Sequence, residues 1–314
     1  MRYIEELREG DMVSEVYLCK NKISATAKNG KTYYSMQLQD KTGIIDAKIW
    51  DLNNGIGHFE SMNYIHVDAQ ITSFNGSMQM NIKRVRIASE GEYLPNDYMP
   101  CSNKDIEEMF KDLLGLIHNI SQPHLKKLLE HFFVEDKDFA KTFKNHSAAK
   151  TIHHGFVGGL LEHSLSVAKL CVYFAETYPS INKDLLVTAA ICHDIGKIHE
   201  LSPFPQNDYT DDGQLLGHIV MGTMMLDSVI KTIDGFPDKL ATELKHCILS
   251  HHGELEYGSP KKPALLEALA LAFADNTDAK LQSFVEAIEN NDGNTGEWTK
   301  FQRIFDSPIR STSN

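Results

Sequence analysis

A chain of 314 residues with 42% apolar content has the length of about two domains and enough hydrophobic side chains to bury ordinary cores. Its net charge of −12 argues by itself against a nucleic-acid binder, but residues 1–90 carry 11 basic and 11 acidic side chains and residues 91–314 carry 20 and 32. The deficit therefore lies wholly in the second part, where a multi-carboxylate metal site and a solvated helical surface would produce it, so a polyanionic substrate is not excluded. Cys19, Cys101, Cys171, Cys192 and Cys247 are odd in number and lack a CxxC pair, which argues against a zinc ribbon and for thiols in a reducing cytoplasm. Residues 1–11 are too charged for a signal peptide, and no apolar run approaches the roughly 18 residues of a membrane span. The expectation is a soluble cytoplasmic protein without a membrane partner.

Residues 12–88 predict about five short strands. Tyr34, Met36 and Leu38 alternate with Tyr33, Ser35, Gln37 and Gln39. After the turn at 40–43, Ile45, Ala47 and Ile49 alternate with Asp46, Lys48 and Trp50. Ile65, Val67, Ala69 and Ile71 make a further apolar row, and Asn75-Gly76 is a hairpin signal leading into Met78, Met80 and Ile82. The phase slips at Lys83-Arg84, which marks either a bulge or the strand's end. Strands this short and numerous make a small barrel.

The stretch TYYSMQLQDKTGIIDAKIW resembles the central hairpin of nucleic-acid-binding OB-folds, and the likeness covers residues 1–90. Alternation independently places Tyr33 and Trp50 on the polar face with Lys48. Exposed aromatics beside cations are what base stacking needs, at about 1–3 kcal/mol per stack. Lys20, Lys22, Lys28 and Lys31 are then candidates for phosphate contacts. The alternative is that Tyr33 and Trp50 cap the barrel under a loop and the lysines only solubilise.

Residues 91–103, with two prolines and polar filler, read as a linker. Residues 104–149 form a helical connecting segment, with Ile106, Met109, Phe110, Leu113, Leu114 and Ile117 on one helix face. A second helix restarts at Gln122-Pro123, and a third covers 139–143. Residues 150–306 form the second domain and 307–314 a disordered tail. The fold class is thus multidomain: an all-β barrel, then an all-α bundle.

In the second domain, polar residues interrupt apolar helix faces. A helix over 185–200 puts Leu186, Ala189, Ala190, His193, Asp194 and Lys197 on one side. A helix over 156–178 sets His163 among Leu160, Leu161, Leu165 and Ala168. His218 opens a helix over 218–233, His251-His252 end the one carrying Leu240, Leu244 and Ile248, and Asp275 follows Leu269, Ala272 and Phe273. Unpaired burial of such groups costs several kcal/mol each, roughly, so they need partners, a metal or a charged ligand. A lone His-Asp pair is expected about once by chance, and a single His on an apolar face is usually a satisfied core residue. Five separated elements are harder to dismiss. Imidazoles and carboxylates suit Mn²⁺, Fe²⁺, Co²⁺ or Zn²⁺. Two such ions about 3.5–4 Å apart, bridged by one carboxylate, activate water and clamp a phosphoryl group. Lys197, one turn beyond His193, is placed to contact a phosphate.

The order H…HD…H…HH…D, with Gly196-Lys197 after the pair, resembles the HD-domain phosphohydrolase superfamily. That resemblance implies His163, His193, Asp194 and Asp275 as ligands of one metal. It makes Asp194 the bridge to a second, held by His218 and either His251 or His252. His251 is the favoured ligand and His252 a catalytic or substrate-contacting group, with Asp194 and Lys197 completing the catalytic set. Asp278 is either supporting or simply exposed.

An OB-fold followed by an HD domain, with GGLLEHSLSVAKL, CHDIGKIHEL, HHGELEYGSPKKP and FADNTDAK, resembles YhaM-type 3′→5′ exoribonucleases. The resemblance spans nearly the whole chain. It implies hydrolysis of single-stranded RNA, and to some degree single-stranded DNA, to 5′-mononucleotides with Mn²⁺ or Co²⁺, Fe²⁺ and Zn²⁺ being further candidates. A cyclic-dinucleotide phosphodiesterase of the HD-GYP kind is the rival, but Glu256-Tyr257-Gly258-Ser259-Pro260 stands where its Gly-Tyr-Pro belongs. A dNTP triphosphohydrolase leaves the barrel unexplained. A non-catalytic single-strand-binding accessory protein is the reading from another class, against which the complete ligand set argues.

Overall fold

The computed structural model describes residues 1–312 apart from 28–29, 53–54, 75, 100, 151–153 and 290–297. Lys28 and the Asn75 of the expected hairpin lie outside the described residues. The chain divides into two compact units, residues 1–101 with 204–206, and residues 102–203 with 207–314.

Five strands, β1 (Met12–Thr26), β2 (Thr32–Asp40), β3 (Gly43–Ile49), β4 (Tyr64–Phe74) and β5 (Ser77–Ile87), close a barrel in the order β1-β2-β3-β5-β4. All pairings are antiparallel except β3 with β5. β1 serves two neighbours: Met12 to Leu18 pair with β4, and Leu18 to Thr26 with β2. A register shift between Cys19 and Asn21 falls where it changes partner, as expected of a bulge that bends a strand. The phase slip at Lys83 is likewise a bulge. Asp68 pairs with Arg84 and Ala69 with Ile82, after which Val85 points inward and the strand continues. Met36, Leu38, Ile45, Ala47, Ile49, Ile65, Val67, Ala69, Ile71, Met80 and Ile82 fill the interior as alternation predicts. This is the five-stranded barrel of an OB-fold.

The segment read as a linker packs on the barrel for most of its length. Tyr93 stacks on Tyr64 with centroids 4.0 Å apart, Tyr98 and Met99 are buried, and Gln39 Nε2 donates to the Tyr98 carbonyl at 3.0 Å. Three apolar or aromatic side chains among the polar filler account for this.

The helical unit comprises α1 (Ile106–His118), α2 (Pro123–Glu130), α3 (Lys137–Asn145), α4 (Gly159–Thr177), α5 (Lys183–Cys192), α6 (Lys197–Glu200), α7 (Asp211–Ile230), α8 (Asp238–Leu249) and α9 (Leu266–Glu289). α4 packs against α5 and α9, α6 against α7, and α7 against α8. Asp105, Asp136, Asn182 and Thr210 cap their helices by accepting a backbone N–H, the ordinary role of such side chains, and the longer Gln122 does the same for α2. Four expectations are corrected. The single helix over 185–200 is two, broken at 193–196. A Cβ on Gly196 would lie 2.1 Å from the His218 carbonyl oxygen and 2.7 Å from the Gly222 nitrogen, so α6 approaches α7 as only glycine allows. The helix assigned to 218–233 belongs to α7, whose backbone breaks at Gly217 (φ 73°, ψ 158°) so that His218 begins its second segment. The expected disordered tail is partly structured, with Gln302 bridged to Ser307, Trp298 to Arg310, and Ile309 buried. By length and composition α7 is apolar enough to cross a membrane, against expectation, but Leu226, Val229 and Ile230 sit in the helical core.

Candidate metal centre

The break after α5 turns His193 and Asp194 off the helix end and into the interior, where both are almost wholly buried. Around them gather His163 from α4, His218 from the kink in α7, His251 and His252 from the end of α8, and Asp275 from α9. The two carboxylate oxygens of Asp194 face different groups. Oδ2 lies 3.5 Å from His163 Nε2 and 3.3 Å from His193 Nε2, while Asp275 Oδ1 lies 3.1 and 3.8 Å from the same two nitrogens. Oδ1 lies 3.4 Å from His218 Nε2 and 3.7 Å from His251 Nε2. His252 joins that second group, its ligating nitrogen within 4.8 Å of those of His218 and His251. Bonds near 2.1 Å put adjacent ligands of one ion about 3 Å apart and opposite ones about 4 Å apart, so both groups have metal-site spacing.

The imidazoles are oriented from behind. His193 Nδ1 donates to the Ala190 carbonyl at 2.8 Å, His251 Nδ1 to that of Ile248 at 2.7 Å, and His252 Nδ1 to that of Tyr257 at 2.9 Å. His163 Nδ1 donates to Asp278 Oδ2 at 2.7 Å and His218 Nδ1 to Glu200 Oε1 at 2.9 Å. Each bond fixes the tautomer that turns an Nε2 lone pair inward, as in metal-binding histidines generally. Consequently Asp194 Oδ1, His218 Nε2 and His251 Nε2 are buried acceptors without a hydrogen-bond donor. Leaving a buried group unsatisfied costs about 1–3 kcal/mol, so three converging at one point make a site that fits a cation.

Electrostatics separate the two groups. Burial disfavours a charged Asp194, but Lys197, His193 and His218 overcome it and hold the carboxyl well below its usual range. Burial also opposes protonation of His163, yet Asp275 and Asp278 raise it to about 9, so a cation entering there displaces a proton. His251 and His252 are lowered, chiefly by burial and by neighbouring imidazoles, and stay neutral and ligand-competent. Lys197 Nζ is 2.7 Å from Asp194 Oδ2 with its side chain 16% exposed, so its ammonium is paired with the carboxylate at the centre. Sequence reasoning missed Glu200 and His154. Glu200 lies seven residues after His193, on the same face of the expected helix. His154 is buried, with Nε2 3.1 Å from Asp278 Oδ2, and its place in an HH doublet was the available signal.

On the barrel, Tyr33 and Trp50 stack on each other (centroids 4.6 Å, 27°), and Trp50 remains 44% exposed. Lys48 Nζ lies 5.9 Å from the Tyr33 ring and donates to Ser35 Oγ. Lys20 is exposed. Lys22 corrects its expectation: its ammonium donates to the Phe59 carbonyl and lies 4.7 and 4.5 Å from the Tyr34 and Phe59 rings, with Glu60 at 3.8 Å. Its ammonium is engaged at the end of the barrel and is not presented to solvent. Lys31 lies 3.9 Å from Asp51.

The barrel and the metal-spaced His/Asp centre define a nucleic-acid-associated member of the HD class, and residues 160–280 match the HD domain. Two curated relatives named 3′-5′ exoribonuclease YhaM are 33% identical to the chain. That of Bacillus velezensis matches over 96% of this chain and 94% of its own length, that of a Geobacillus species over 96% and 91%. The chain belongs to the YhaM 3′-5′ exoribonuclease family and is a metal-dependent phosphodiester hydrolase. Among solved structures, the second OB-fold domain of replication protein A from Methanococcus maripaludis covers 29% of the chain and 96% of its own length, at 16% identity and a TM-score of 0.24.

Proposed function

We propose that the protein removes nucleotides one at a time from the 3′ end of single-stranded RNA, and less readily of single-stranded DNA, releasing 5′-mononucleotides. The family's named activity supports the direction and the RNA substrate. The observation that carries the site is the trio of buried acceptors on Asp194, His218 and His251 that lack a donor. In this reading His163, His193, Asp275 and Asp194 would hold one divalent cation, while His218, His251 and His252, with Asp194 shared, would hold a second. Imidazole and carboxylate donors suit Mn²⁺, Co²⁺, Fe²⁺ or Zn²⁺, and of these the family resemblance favours Mn²⁺ or Co²⁺. When bound, two such ions lower the pKa of water and neutralise phosphate charge. Asp194 would lend one oxygen to each group, and Lys197, paired with Oδ2, keeps that carboxylate ionised. The stacked Tyr33 and Trp50 offer a base platform, flanked by Lys48 and with Lys20 available to phosphates.

The test is 5′-labelled single-stranded RNA incubated with Mn²⁺. One-nucleotide shortening from the 3′ end, abolished by chelator, supports the reading. Internal cuts, release from the 5′ end or chelator-insensitive activity sink it. Cleavage of cyclic dinucleotides with intact RNA selects the phosphodiesterase instead.

A further inference from the structure

The imidazoles of the centre are not backed alike. His193, His251 and His252 lean on neutral backbone carbonyls. His163 and His218 lean on carboxylates, and these two fall in different groups around Asp194. We infer that each cation subsite has its own positioning carboxylate, Asp278 acting through His163 on the first and Glu200 through His218 on the second. This rests on the two-cation reading above.

Both carboxylates are held as fixed supports. Asp278 Oδ2 accepts from His163 Nδ1 at 2.7 Å and from His154 Nε2 at 3.1 Å, with the Asp278 side chain 14% exposed. Glu200 Oε1 accepts from the His218 main-chain N–H and from its Nδ1, both at 2.9 Å, with its side chain 12% exposed. The second arrangement locks the kink at Gly217 and the ring it delivers with one oxygen. An anion on the far side of an imidazole makes the near nitrogen a better donor, which a carbonyl does more weakly. Each subsite thereby receives one strengthened imidazole. Asp278 and Glu200 add negative charge to the centre without occupying a coordination position.

The experiment is Mn²⁺ binding to the full chain by calorimetry, with thermal midpoints as a fold check. Asp278→Asn and Glu200→Gln keep an oxygen acceptor and lose the charge, so a purely scaffolding bond would survive them. The wild type takes two equivalents. Each variant weakens one event by about 10–100-fold, the usual loss for such outer partners, and leaves the other in place. In a His251→Ala chain, which lacks a donor of the second subsite only, Asp278→Asn lowers the remaining tight event and Glu200→Gln does not. Asp278→Glu and Glu200→Asp recover part of the affinity if charge is the agent. Two equivalents with neither variant weakened, or with both events weakened equally by either variant, overturn this inference alone. A wild type that takes a single equivalent overturns the two-cation reading and this inference with it.

Discussion

The helical centre and the outer face of the barrel use similar side chains under opposite constraints. At the centre, His193, Asp194 and His251 are sealed from water, so each polar atom has to meet a partner or a cation. On the barrel, Trp50, Lys20 and Lys31 face solvent, which satisfies any polar group at little cost. Burial thus makes a polar residue informative, and exposure leaves its role open. Lys22 shows the difference: it reads in sequence as a candidate phosphate contact like Lys20, yet its ammonium is drawn over two rings and onto a carbonyl.

The largest effect should come from breaking the centre itself. His193→Ala or Asp194→Ala is expected to lower mononucleotide release by about 10³-fold or more, since ligands acting as a unit are not replaceable singly. Bound Mn²⁺, measured on the same samples, should fall with the rate. Retained activity with lost metal would detach the centre from the chemistry. Next comes Gly196→Ala, which sets a methyl against the His218 carbonyl and the Gly222 nitrogen. Overpacking of that kind costs about 1–3 kcal/mol, read as a lower thermal midpoint and weaker metal binding together. An unchanged midpoint would show that α6 and α7 tolerate separation.

Legibility followed the same division. Apolar periodicity with polar interruptions picked out His163, His193, Asp194, His218, the His251-His252 pair and Asp275, because a polar side chain on a buried helix face has to meet a partner. The break after Cys192 was not visible, since Gly196 reads as tolerable within a helix until α7 is known to press against it. Glu200 and His154 act on other side chains of the centre, through His218 and Asp278, so the face of Glu200 and the HH doublet of His154 were signals that gained meaning only once those partners were placed. In the barrel, alternation gave the strands and interior, and one phase slip gave the bulge at Lys83. Segment 91–103 misled because a few aromatics outweigh its polar majority once the Tyr64 ring is beside them.

A smaller effect is expected at the barrel platform. Trp50→Ala should weaken binding of single-stranded RNA by about 1–3 kcal/mol, the usual value of one base stack, measured by fluorescence anisotropy. Hydrolysis of a dinucleotide should be unaffected. Equal losses on long and short substrates would mean that Trp50 supports the barrel and nothing more, leaving the Tyr33 stack as packing.

The smallest effect discriminates most finely between an exposed and a captured cation. Log affinity for single strands falls with log salt at a slope of about −0.7 for each phosphate neutralised. Lys20→Gln should therefore make the slope shallower by about 0.7 if its side chain follows the backbone, with no change in thermal midpoint. Lys22→Gln should do the reverse. Its ammonium serves the Phe59 carbonyl and the Tyr34 and Phe59 rings, so the variant should lower the midpoint and leave the slope alone. If Lys22→Gln also flattens the slope, the ammonium leaves its cap to meet phosphate, and burial in the free protein is a poor guide to function on this face. If neither variant moves the slope, the platform binds through stacking alone and the neutral charge balance of residues 1–90 reflects that directly.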